Sequence, residues 1–146
     1  MRIALGADHA GHKLKEKLAA YLRKFRRGLL VSDFGTDSEE SCDYPDYALK
    51  VARAVSRGHA DYGILACGSG IGMAMAANKV KGIRAAVARD ERDAKMSRLH
   101  NNANILCFGG RRTSAKKAVK LAKIFISTRF EGGRHSRRIR KIAKLD

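Results

Sequence analysis

The sequence predicts an α/β domain: a five-stranded parallel sheet between two helical layers, Rossmann-like, closed by a C-terminal helix. Three observations predict it. Short apolar runs alternate with amphipathic stretches along all 146 residues, the pattern of βα units. The apolar runs are five or six residues long, a strand's length, and they are continuous, as in strands buried on both faces. Parallel strands also need a crossover each, and a helix in every gap supplies it with the right-handed connection such units adopt.

The runs at 3–7, 29–34, 62–67, 83–88 and 104–108 are the predicted strands, and 12–27, 45–57, 70–79, 90–100 and 114–128 the helices that follow them. In the first helix Leu14, Leu18, Tyr21, Leu22 and Phe25 recur at three- and four-residue steps, making one apolar face. Pro45 stands where it opens the second helix at its first turn. A basic helix over 133–143 ends the chain. No repeat, low-complexity tract or linker interrupts this order, so residues 1–146 read as a single domain.

Hydrophobic residues make up 45% and charged residues 31% of the chain, which excludes a disordered or fibrous protein. No apolar run reaches the roughly 18 residues of a spanning helix. The N-terminus has no long apolar stretch, which leads us to expect a cytoplasmic protein without a membrane partner. Cys42, Cys67 and Cys107 are odd in number and far apart, so reduced thiols are expected rather than a disulfide framework. Net charge is +17, and residues 107–146 contribute +11 of it. Such an excess suits a polyanion or a phosphorylated substrate.

Ligands of open parallel sheets bind at the C-terminal ends of the strands, which selects the loops at 6–11, 35–44, 67–72 and 109–113. In the third, Cys67-Gly68-Ser69-Gly70-Ile71-Gly72 joins a strand to a helix. Alternating glycines there let backbone N–H groups converge on an anion. The loop is a poor dinucleotide fingerprint, because the third glycine falls at Met73, and no Lys-Ser/Thr pair makes it a P-loop. A thiol at Cys67 would have its thiolate stabilised by the following helix N-terminus, whereas Cys42 and Cys107 read as buried structural cysteines. Asp8-His9 follows the first strand, and His100-Asn101 ends a helix beside the fifth, so both are expected to reach the strand ends. No His/Cys pair shows ligand spacing, so no metal and no cofactor is expected. Arg134 and Arg138 are four apart and share a helix face that can clamp a phosphate.

At these loops the chain resembles the type B ribose-5-phosphate isomerases within the ribose/galactose phosphate isomerase family. The resemblance is carried by Gly6-Ala7-Asp8-His9-Ala10-Gly11, Asp43-Tyr44-Pro45-Asp46-Tyr47-Ala48, the segment 63–78 with its Cys-Gly-Ser-Gly core, Gly82-Ile83-Arg84-Ala85-Ala86, His100-Asn101-Asn102-Ala103-Asn104, Gly109-Gly110-Arg111 and Gly132-Gly133-Arg134-His135. It implies interconversion of ribose 5-phosphate and ribulose 5-phosphate through a cis-enediolate, as in the pentose phosphate pathway, without metal or cofactor. By the same resemblance Cys67 is the base, since the glutamate some relatives use four residues later is Ile71 here. Ser69 and the amides of Gly68, Gly70 and Gly72 would hold the enediolate, and His100 would assist ring opening. Asp8 and Asn101 would bind sugar oxygens, with Asp43 and Tyr44 lining the pocket. His9, Arg111, Arg134 and Arg138 match phosphate ligands. The family's habit of pairing implies a homodimer or tetramer whose sites take residues from both chains.

Galactose 6-phosphate and allose 6-phosphate are the rival substrates within that family. A non-specific nucleic-acid-binding protein is the rival from another class, favoured only by the +17. Aromatics are 6% of the chain and tryptophan is absent, which leaves little for base stacking, so no specific nucleic-acid partner is expected. A nicotinamide-dependent oxidoreductase is weakened by Met73.

Overall fold

A computed structural model describes residues 1–25 and 27–145. Its elements run β1 (Arg2–Ala7), α1 (His12–Phe25), β2 (Leu30–Asp33), α2 (Tyr44–Ser56), β3 (Tyr62–Cys67), α3 (Ile71–Ala77), β4 (Ala85–Val87), α4 (Glu91–Leu99), β5 (Ile105–Gly109), α5 (Ala115–Ser127) and α6 (Arg134–Ile142). The strands form one sheet in the order β2-β1-β3-β5-β4, every pairing parallel. This is the expected three-layer architecture. None of the described helices is long and apolar enough to cross a membrane.

Side chains alternate between the two faces of each strand, so the sheet feeds two cores. Ile3, Leu5, Ile64, Leu106 and Phe108 meet Leu14, Leu18 and Leu22 of α1, Ala94 of α4, and Leu121 and Phe125 of α5. Ala4, Leu65, Ile105 and Cys107 meet Val51 and Val55 of α2 and Met73 of α3. With α1 on one face and α2 on the other, the chain turns outward in opposite directions from β1 and β3. That switch point opens a crevice above their C-terminal ends.

Two strands depart from the expectation of full burial. β2 is an edge strand with Leu30 63% exposed, and β4 forms the other edge and is half-buried. The apolar run at 83–88 yields only three strand residues. The side chain of Asn78 then takes the place of a further neighbour: its Nδ2 donates to Ala85 O at 2.9 Å and its Oδ1 accepts from Ala85 N at 2.7 Å. An edge blunted by a side chain is shielded from pairing with stray strands.

Helix α1 stops short of the expected 27. Arg26 lies outside the described residues, while Arg23, Lys24 and Arg27 are exposed to solvent. The same helix buries a lysine that its apolar spacing does not announce. Lys15 is 4% exposed, and its Nζ donates to Thr36 O at 2.8 Å, Asp33 Oδ2 at 2.8 Å and Glu16 Oε1 at 3.0 Å. It crosses Gly35, where a Cβ would lie 2.7 Å from Lys15 Cδ. The loop from β2 to α2 is thereby anchored at its root.

Candidate active site

Three loops converge above β1, β3 and β5. Gly11 fits against β3 only without a side chain, since a Cβ there would lie 2.3 Å from Ala66 O. Its N–H closes the first loop by donating to Asp8 Oδ1 at 3.0 Å, and Asp8 is buried. Gly110 N–H donates to Cys67 O at 2.6 Å, joining the β5 loop to the end of β3. Between them opens a cleft of roughly 350 Å³ lined by Asp8, His9, Tyr44, Cys67, Gly68, Ser69, Gly72 and Arg111, with Ala10 beside them.

Cys67 forms the buried floor of this cleft, and its Sγ accepts the N–H of Gly70 at 3.1 Å. That amide is therefore committed to the sulfur, which leaves Gly68, Ser69 and Gly72 to face a ligand. The Ser69 hydroxyl accepts from Ile71 N–H at 3.2 Å, so its own hydrogen is able to donate elsewhere. The Arg111 guanidinium lies over Gly68, 3.6 Å from where a Cβ would stand, and the Tyr44 ring lies against Gly72 in the same way at 2.7 Å. A larger residue at Gly72 would have to push that ring aside, whereas a Cβ at Gly68 would make only ordinary contact with the guanidinium. Tyr44 is the first residue of α2, which Asp43 precedes as N-cap and Pro45 opens. Asp43 itself is exposed at the mouth and does not line the cleft.

His9 accepts the backbone N–H of Cys42 at its Nδ1, 3.2 Å away. In the neutral ring this puts the proton on Nε2, which becomes a donor. Cys42 is half-buried beside His9, Sγ to Nδ1 3.9 Å, and is not the core cysteine its sequence suggested. Cys107 is. Burial pushes its thiol far up, and the neighbouring Cys67 adds to the effect, so it stays protonated.

The remaining predicted residues lie elsewhere, and here the sequence reading needs correcting. Helix α4 leaves the C-terminal end of β4 and returns to the start of β5. His100 and Asn101 therefore sit at the opposite end of the sheet from Cys67, a strand length or ~17 Å away. The expectation that they reach the strand C-termini fails within one chain. Asn101 instead lines a second cavity of roughly 370 Å³ with Asn78, Ile83, Arg84, Ala103 and Ile142. Arg134 and Arg138 are both exposed on α6, close to His100.

His100 stacks on buried His135 with centroids 4.2 Å apart and planes 8° from parallel. Glu131 Oε2 lies 3.6 Å from His100 Nε2 and 3.7 Å from His135 Nε2. Desolvation chiefly, then His100 and Arg134, hold His135 below the ordinary imidazole value, with Glu131 opposing. Glu131 and His135 had no role in the sequence reading, because 31 and 35 residues separate them from His100.

Arg98 was also missed. Its Nη1 donates to Ala103 O at 2.7 Å and Asn102 Oδ1 at 2.8 Å, its Nη2 to Tyr62 Oη at 3.1 Å and its Nε to Thr128 O at 3.3 Å. The guanidinium also lies over the Tyr62 ring, 4.8 Å from its centroid. One buried cation thus fixes the turn carrying His100 to β3 and to the segment leading to α6. Its spacing from Ala94 marks the buried face of α4, but the charge disguises it.

Residues 3–142 match the family model described as Ribose/Galactose Isomerase. The chain belongs to the ribose/galactose isomerase family. It is 43% identical to ribose-5-phosphate isomerase B of Escherichia coli (strain K12) over 99% of this chain and 96% of that protein. The structure of ribose-5-phosphate isomerase B from Clostridium thermocellum superposes with a TM-score of 0.96 at 48% identity, covering 99% of this chain and 97% of the other. That of the Mycoplasma genitalium ribose-5-phosphate isomerase B, with bound ribulose-5-phosphate, gives 0.93 at 40% identity, covering 99% and 95%.

Proposed function

We propose that this member of the ribose/galactose isomerase family interconverts ribose 5-phosphate and ribulose 5-phosphate, with Cys67 as the proton-transferring base. The observation that carries the reading is the buried Cys67 sulfur at the floor of a cleft whose walls supply amides, a hydroxyl and cations. Relatives over nearly the full length are ribose-5-phosphate isomerases B, one with ribulose-5-phosphate bound.

In the open-chain aldose the Cys67 thiolate takes the C2 proton. The electron pair left behind becomes the C1=C2 double bond, and the former carbonyl oxygen carries the charge. The Cys67 thiol returns the proton to C1 while the proton on O2 is lost as that oxygen becomes the ketone and O1 gains one. The amides of Gly68 and Gly72 and the Ser69 hydroxyl stabilise the enediolate oxygens, and a well-aimed donor of this kind is worth about 3–4 kcal/mol of barrier. The Gly70 N–H holds the sulfur. Asp8 orients sugar hydroxyls, with Asp43 and Tyr44 at the mouth, while His9 and Arg111 take the phosphate, whose distant binding orients the reacting carbons.

His100, Asn101, Arg134 and Arg138 join this site from a second copy of the chain. Their position at the far end of the sheet supports this, as do the exposed Ile71, Met75 and Ile142, apolar side chains that a partner would cover. In the partner's cleft His100 would open the furanose ring and the two arginines would clamp the phosphate.

The primary test is isomerisation of ribose 5-phosphate, galactose 6-phosphate and allose 6-phosphate assayed side by side, expected to favour ribose 5-phosphate. Cys67→Ala should abolish turnover while phosphate-ligand binding stays within a few-fold. Near-wild-type activity in that variant would overturn the assignment. Mixing inactive Cys67→Ala and His100→Asn chains should restore about a quarter of wild-type activity, because half of randomly re-paired dimers hold one intact shared site. No recovery after subunit exchange would refute the two-chain site.

A further inference from the structure

A third cavity, of roughly 420 Å³, opens where β4 and β5 end, and it shares only Ser69 with the cleft around Cys67. Arg89, Arg112 and Lys117 line it, and no acid does. All three are exposed, and among the described residues none of their side chains is engaged in an ion pair or hydrogen bond. The acids nearest in the chain are committed elsewhere. Asp90 Oδ1 accepts the N–H of Asp93 at 2.8 Å, Asp93 Oδ2 accepts that of Arg89 at 3.1 Å, and Glu91 Oε1 holds Lys120 Nζ at 2.6 Å. Three like charges on one concavity repel one another, and a bound anion turns that repulsion into charge-assisted hydrogen bonds. Half-buried Thr113 adds a hydroxyl that has no partner among the described residues. Val87 and Ala88 give the cavity an apolar side. Cations, a free hydroxyl and apolar surface together suit a phosphate monoester with a compact organic body, and the volume is that of a small-ligand pocket.

Ser69 stands between this cavity and the cleft. Its backbone packs so closely on β5 that a Cβ at Gly109 would lie 3.0 Å from Ser69 O. Arg111 and Arg112, adjacent in the chain, divide between the two: the first lines the cleft and the second this cavity. The Ser69 oxygen accepts the Ile71 N–H, and the hydroxyl has a single hydrogen to donate. An anion that takes this hydrogen from one side withholds it from the other.

We propose that Arg89, Arg112, Thr113 and Lys117 form a second anion site that takes a phosphate monoester, and that its occupant slows isomerisation by drawing the Ser69 hydroxyl out of the cleft. The inhibitory half rests on the enediolate role given to Ser69 above, whereas the binding half stands on the cavity alone.

The full chain, isotope-labelled for amide resonances, is titrated with inorganic phosphate and with phenyl phosphate. Resonances of Arg89, Thr113 and Lys117 should shift saturably, while those of Gly68 and Arg111 report phosphate in the cleft. Arg112→Met combined with Lys117→Met should weaken the first response by about tenfold or more, since two charge-assisted contacts are lost, and should leave the second in place. Arg23→Met combined with Lys24→Met removes the same charge from exposed positions on α1 and should change neither. Shifts confined to the cleft, or an equal loss in both double variants, overturn the site. Tighter binding of phenyl phosphate than of inorganic phosphate supports the ester, and equal binding overturns it in favour of the free anion. Kinetics with ribose 5-phosphate separate the two occupants. Phenyl phosphate in the cleft raises KM alone, whereas in the second site it should lower kcat by about tenfold or more, toward the loss of one oxyanion donor. That kcat effect should vanish in the Arg112→Met, Lys117→Met chain, whose uninhibited kcat matches wild type. Purely competitive inhibition of wild type, or an undiminished kcat effect in that variant, refutes the inhibitory half. A wild-type chain inactive on every sugar phosphate counts against the functional reading, while the titration still decides the anion site.

Discussion

The backbone N–H of Gly70 points at the sulfur of Cys67 from 3.1 Å, and only glycine places it there. Gly70 has φ +82°, and a Cβ at this position would lie 2.8 Å from the Phe108 carbonyl carbon. The conformation alone costs an L-residue about 1–2 kcal/mol. Gly70→Ala should therefore lower kcat at least tenfold by turning the amide away, with a smaller change in KM, and should reduce stability by a comparable 1–2 kcal/mol. Steady-state kinetics and denaturant unfolding on the same preparation check both parts.

Arg98 should be the costliest buried polar residue to replace. Arg98→Met keeps the length of the side chain but leaves Ala103 O, Thr128 O and Tyr62 Oη without their donor. Hydrogen bonds from a charged donor are worth about 1.5–3 kcal/mol each before the cost of burying the charge is subtracted. Burial itself lowers the arginine's pKa, which measures that cost in direction. A net loss of about 2–4 kcal/mol is expected by urea titration, and a loss below ~0.5 kcal/mol would contradict the anchoring role.

Lys15 gives the fold a dependence on alkaline pH. Burial works to lower its pKa, but hydrogen bonds to Asp33 and Glu16 outweigh it and hold the group above 10.5. The folded chain thus holds this proton more tightly than the unfolded one. The stabilisation is complete below the unfolded value and is lost as pH rises through the raised folded value. At neutral pH Lys15→Met should cost about 1–3 kcal/mol. The gap between variant and wild type should narrow above pH 10.5, and a gap that stays constant through that range would refute the assignment.

Truncation after Ser127 removes Arg134 and Arg138 with the whole of α6. Affinity for ribose 5-phosphate should fall at least tenfold, since each bidentate arginine–phosphate contact is charge-assisted. Calorimetry on the truncated chain, after its denaturant unfolding is shown to remain a single cooperative transition, measures it. Unchanged affinity would remove α6 from the site.

What the sequence discloses follows from which physical constraints are local. Strand length, helical spacing and the Pro45 start are local, and every strand and helix lies within a few residues of its expected bounds. The half-site built from Asp8, His9, Cys67 and Arg111 is legible too, because the strand-end rule converts chain order into position. Edge exposure is not local: the run containing Leu30 reads as buried, and only the strand order places it at the rim. His100 misleads for a directional reason. A helix returning to the start of a parallel strand ends at the sheet's other pole, so nearness in sequence to β5 means remoteness from the strand tips. Lys15 and Arg98 escape notice because the partners that bury them, Asp33 and Thr36 for one and Tyr62 and Thr128 for the other, stand on segments that no spacing pattern links to them. The +17 charge divides likewise: Arg111, Arg134 and Arg138 acquire a proposed task, Lys120 pairs with Glu91 at 2.6 Å, and Lys123 lies over the Tyr21 ring.

The four donors of Arg98 tie together three stretches that otherwise share no strand pairing: the turn at Asn102 and Ala103, the start of β3, and the chain leaving α5. Fraying of the His100 turn must then break bonds to the centre of the sheet. Amide protons at Asn102 and Ala103 should exchange with solvent through the same global opening as those of β5. Thermal inactivation would accordingly follow a single cooperative melting event, with no earlier stage in which the sheet survives and the turn is lost.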